Sequence, residues 1–170
     1  MVINMNHVLY EASSKYEFFI LIPFFVMFFI AMFFFIRYKL NDNENLRNNK
    51  LFKRFCVGGI VYLTVFSIVA LLGQIDMYNK IVKAYEQGNY QIVEGYVENF
   101  DPMPHSGHKE ESFDINGVSF SYSDFSVQPG YHNAKSHGGV ITGNGQHLKI
   151  GYVYYNSAMG NVIVYIEKID

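Results

Sequence analysis

Apolar and polar positions are sharply segregated along the chain. From Phe18 to Ile36 nineteen successive residues carry no charge, and nine of the sixteen phenylalanines fall between Phe18 and Phe35. At about 1.5 Å per residue such a run makes roughly 28 Å of helix, close to the ~30 Å hydrocarbon core of a bilayer. Pro23 lies in the first turns, where a missing backbone hydrogen bond costs least. A soluble core helix would have to hide phenylalanine on every side, and the chain has little other material for that. A second uncharged run, Phe55 to Gly73, mixes Gly58, Gly59, Thr64, Ser67 and Ala70 among Val, Ile and Leu. Gly59, Leu63, Phe66 and Ala70 share a helical face. That face fits a seam against the first run or self-association, and glycine is also common in membrane helices generally.

Between the two runs, residues 37–54 hold six Lys or Arg against two acids, whereas both outer flanks are poor in basic residues. The positive-inside rule then predicts a cytoplasmic 37–54 loop and both termini outside, a multi-pass topology. The first run is too long, and its leading flank too weakly basic, for a cleavable signal peptide. Residues 1–17 read as a short tail. Within residues 76–88, Met77, Ile81, Val82, Ala84 and Tyr85 recur at helical spacing and Gly88 supplies a stop, which predicts a juxtamembrane stem.

From residue 89 onward the pattern becomes strands and turns. Tyr90 to Phe100 reads as one long strand with a bend at Gly95. Glu111 to Tyr122 alternates apolar and polar residues about Asn116-Gly117, the strongest short hairpin signal, because both turn residues need positive φ. Further strands are predicted over Gly139–Thr142, His147–Tyr155 and Asn161–Ile169. The fold class expected is therefore an α+β membrane protein: two transmembrane helices (18–36 and 55–73) followed by a small antiparallel barrel-like domain (89–170) of OB-like or SH3-like size.

The segments GNYQIVEGYVENF, ESFDINGVSFSYSD and SHGGVITGNGQHLKIGYV resemble, in order and spacing, those of a group of small bacterial membrane proteins. The likeness spans roughly Tyr90 to Lys168 and rests on turn glycines and core apolar residues. It implies a bacterial inner-membrane protein with a periplasmic β-domain, and it brings no activity with it. This chain departs from the pattern at Ile115 and Leu148, where valine is usual.

Composition narrows the chemistry. One cysteine, Cys56, excludes an intramolecular disulfide framework. Lys80 to Asp170 carries six lysines against ten acids, a net of −4, which disfavours nucleic acid even though strand tyrosines could stack on bases. His105 and His108, beside Glu110 and Glu111, have the donor types for zinc or copper, but a proline-bounded loop is a poor frame for a metal. Tyr131, His132, Asn133 and His137 lie in a long glycine-bounded loop and form the candidate partner surface, with Tyr131 as aromatic anchor. The alternative is that these side chains cap turns. No Gly-x-Ser-x-Gly elbow accompanies the Ser/His pairs, so no catalytic residue and no cofactor are assigned. The expectation is a non-enzymatic, membrane-anchored binding or accessory protein that presents its β-domain to a protein or envelope polymer. A toxin-immunity protein of the inner membrane is the second reading.

Overall fold

The computed structural model describes residues 7–12, 22–40, 50–126 and 128–169. Most of the predicted tail, residues 18–21 of the first run and residues 41–49 of the basic loop lie outside them. In chain order the elements are β1 (His7–Glu11), α1 (Ile22–Lys39), α2 (Lys50–Glu86), β2 (Gln91–Tyr96), β3 (Glu98–Asp101), β4 (Glu111–Ile115), β5 (Val118–Tyr122), β6 (His147–Asn156) and β7 (Gly160–Lys168). A 3₁₀ turn covers Lys135–His137. The chain divides into a helical unit ending at Asp76 and a β unit that joins β1 to everything from Met77 onward.

Two expectations are overturned. Among the described residues one helix, Val57–Glu86, is long and apolar enough to cross a membrane, so a multi-pass inner-membrane protein with both termini outside is not supported. The described part of α1 runs from Ile22 to Lys39, with Arg37 and Lys39 in its last turn. Nor does the β unit follow the helices as a separate C-terminal barrel. It consists of a four-stranded antiparallel sheet, β1-β7-β6-β2, and a three-stranded one, β3-β4-β5, and the first strand of the chain is an edge of the larger sheet. Of the predicted seam, Leu63 and Ala70 are half-buried and Phe66 is exposed, and apart from its own helix backbone and chain neighbours no described atom lies within 4 Å of where a Cβ on Gly59 would stand.

The hairpin follows its sequence. Asn116 and Gly117 take φ of 48° and 80°, and Phe113 pairs with Phe120 between Glu111–Tyr122 and Ile115–Val118. The long strand predicted from Tyr90 divides at the buried Val97, where the chain leaves the larger sheet and enters the smaller. Gly95 stays within β2, opposite Leu148; a Cβ there would strike the Asn116 amide, which donates to the Glu94 carbonyl at 2.6 Å. Residues 139–142 form no strand.

The two sheets enclose Phe113, Ile115, Phe120 and Tyr122 on one side and Leu148, Ile150, Ile163 and Ile166 on the other, with Val97, Tyr131 and Ile141 between. A register shift at Gly151/Tyr152 in the β6–β7 ladder lets Ile163 and Ile166 reach the same core. The opposite face of the larger sheet, through Val162 and Val164, is covered by Met77 and Ile81 of α2. What reads as a juxtamembrane stem is thus the last part of α2 and a layer of the β unit. Gly88 (φ 69°) ends that helix: its N–H donates to the Tyr85 carbonyl at 3.0 Å and Asn89 N–H to Ala84 at 2.8 Å, a Schellman closure.

Candidate ligand-binding site

Strand alternation sends every second residue of β4 and β5 outward, so the cross-strand pairs Ser112–Ser121 and Asp114–Ser119 tile the outer face of the smaller sheet. Together with β3, Ser126, Gln128 and the β6–β7 turn they line a groove of about 780 Å³. The turn forms one lip and is stiffened by Asn156, whose side-chain oxygen accepts the N–H groups of Ala158 and Met159, each at 2.9 Å. Asn161 then ties that lip to β5 through a 3.0 Å bond to the Ser119 carbonyl.

Asp101, Glu110 and Asp114 are the charged residues of the lining, and among the described residues no basic side chain lines it. Each carboxylate is positioned: Asn99 donates to Asp114 at 2.8 Å, Ser121 donates to Glu110, and Lys109 pairs with Asp101. Hydrogen bonds from Ser119 and then Asn99 hold the Asp114 carboxyl below its ordinary value, so it stays ionised at neutral pH. The floor is closed by Phe113, Phe120 and Tyr122, none more than 2% exposed.

The histidine loops are fastened beside the core by a buried carboxylate. Glu111, fully buried, accepts Tyr122 OH at 2.7 Å, Met103 N–H at 3.3 Å and Lys135 N–H at 3.2 and 3.1 Å. Burial, and then the hydrogen bond to Glu111, push the Tyr122 phenol well above the ordinary tyrosine value. Asp124 accepts Ala134 N–H and contacts His137 Nδ1. The His137 ring lies 5.2 Å from that of His105, whose Nδ1 is 3.3 Å from the Ser136 carbonyl oxygen.

Residues singled out in the sequence separate here. Tyr131 is a core residue, its ring edge-on to Tyr10 and Tyr122 and its oxygen accepting Val140 N–H at 2.7 Å, so it is no surface anchor. His132 is half-buried and turned onto its own loop, with Nδ1 2.9 Å from the Gly130 carbonyl. Asn133 and His137 are exposed. His105 and His108 take different partners, since His108 packs edge-on to Phe125 at 4.1 Å. Among the described residues no three His, Cys, Asp or Glu side chains converge as metal ligands. Ser136 Oγ approaches the same His137 nitrogen that Asp124 holds, at 3.4 Å, whereas a base-activated nucleophile needs the other ring nitrogen.

Apart from Glu110, named beside the candidate metal histidines, and the strand tyrosine Tyr122, the groove residues were absent from the sequence candidates. Their signal was the polar half of the hairpin's alternation, which reads equally well as a solvated face. Comparison with known proteins adds nothing to this geometry: no family model, no curated protein and no solved structure matches the chain.

Proposed function

We propose that the protein is a binding module whose β unit offers the groove on the smaller sheet to a partner protein, while the apolar length of α2 lies in lipid. The observation that carries the reading is the groove itself. It is concave, framed by positioned carboxylates, amides and hydroxyls, and of a size within the usual range for ligand sites. Recognition is the chemistry that such groups perform: ion pairing and hydrogen bonding.

The lipid half of the reading rests on magnitude. Val61, Val65, Phe66, Ile68, Val69 and Leu72 are all more than half exposed. Left half in water, each forgoes about 1 kcal/mol, and six together rival the ~5–15 kcal/mol net stability of a domain. The Thr64 and Ser67 hydroxyls among them donate to their own helix, to the Ile60 and Leu63 carbonyls, each at 2.8 Å, as an apolar surrounding demands.

Photo-crosslinking tests the module. A crosslinking residue at Ser119 should capture a protein partner from native membranes, whereas the same residue at Glu94 on the larger sheet should not. Equal capture at both positions, or none at Ser119, would refute the reading.

A further inference from the structure

We infer that the occupant of the groove is a cationic peptide segment, lysine- or arginine-bearing, presented by the partner protein; the inference rests on the binding-module reading above. Charge complementarity carries it. Three carboxylates line the groove, among the described residues no basic side chain is in its walls, and Lys109 engages Asp101. A carboxylate has roughly four acceptor sites. Asn99 and Ser119 on Asp114, and Ser121 on Glu110, use only part of that capacity while fixing the groups in place. Ammonium and guanidinium groups are donors only, so carboxylates flanked by serines match them without a competing charge.

Other occupants fit less well. Phosphates and acidic peptides meet like charge. A sugar polymer would need an exposed ring to stack on, and the aromatic floor is sealed. Addition of a strand to the edge of β5 is obstructed because Asn161 already occupies the Ser119 carbonyl. The peptide is therefore held by its side chains, with Ser112, Ser121 and Gln128 available to its amides.

The test uses the full chain in neutral detergent, titrated with hexalysine, hexaglutamate and a neutral glucose hexasaccharide at low and high salt. Hexalysine should bind, and salt should weaken it. The pair Glu110→Gln/Asp114→Asn should reduce that affinity by about three- to tenfold, as expected for two exposed ion pairs. The control pair Glu86→Gln/Glu94→Gln, which removes equal charge elsewhere, should leave it unchanged. Equal weakening by both pairs, or tighter binding of the hexaglutamate or the sugar, overturns the inference. Capture of the native partner separates the two levels, once melting curves show that the variants are folded. Loss with Ser121→Trp, which fills the groove, but not with the charge pair retains the groove and rejects the cation. Capture undiminished by either variant rejects both, and loss with both supports both.

Discussion

One helix, α2, meets two environments. From Val57 to Leu72 its apolar residues point in every direction and most stay exposed, with Ile60, Leu63, Ala70 and Leu71 half-buried; from Met77 to Tyr85 only one stripe is apolar, and Ile81 and Val82 on it are buried. The difference is one of pattern rather than of hydrophobicity. A stripe specifies a protein surface to lie on, here Val162 and Val164 of β7, whereas an all-round apolar surface specifies only a solvent. The same residue types thus make a layer of the β unit in one stretch and a lipid-seeking surface in the other.

Substitution can break this contrast. Ile81→Ala, at a fully buried site, should cost the β unit about 2–5 kcal/mol in chemical denaturation, whereas Val65→Ala, at 55% exposure, should stay within about 0.5 kcal/mol. Comparable losses at the two sites would dissolve the distinction. Conversely, Val65→Asp should leave the β unit's melting unchanged yet lower partition of the chain into lipid vesicles by about 2.5–3.5 kcal/mol, read by flotation. A variant that floats as well as the parent would show that α2 does not seat in lipid.

Two smaller effects sharpen the picture inside the β unit. Glu111→Gln keeps the shape but turns an NH₂ group towards donors from Tyr122, Met103 and Lys135; about 1–3 kcal/mol of stability should be lost, with the histidine loops exchanging amide protons faster. Tyr131 supplies a pH signature. Burial pushes its phenol up to about 12, whereas an unfolded tyrosine ionises near pH 10. Its folded value being the higher, the stability it contributes is complete below about pH 10 and is lost as pH rises towards 12. Tyr131→Phe should flatten that part of the stability profile, and an unchanged slope would assign the alkaline loss to other groups.

Sequence reading succeeded where local chemistry dictates the outcome. Asn116-Gly117 fixes a turn, Gly88 fixes a helix end, and alternation fixes which side of each hairpin strand is dry. It missed β1, because the five residues HVLYE carry no turn signal and find their partner only in β7. It merged β2 and β3, because a strand that changes sheets keeps its alternation through Val97. It counted two membrane spans, whereas among the described residues one helix, Val57–Glu86, is long and apolar enough to cross a membrane. The groove escaped because serines that face water and serines that line a concavity look identical until the β6–β7 turn rises beside them. The prominent histidines drew attention that the loop geometry does not repay, as His132 and His105 contact backbone carbonyls.

The position of β7 between β1 and β6 sets an order of events. During synthesis β1 emerges before α1 and α2, yet the strand that receives it is the last of the seven to be made. At roughly 5–20 residues per second, β1 waits about 8–30 s for its neighbour. Until β7 arrives, both β1 and β6 lack the strand that joins them. The larger sheet therefore cannot close on a partial chain, and any interruption of translation before residue 160 leaves its edges unmatched and open to capture by chaperones.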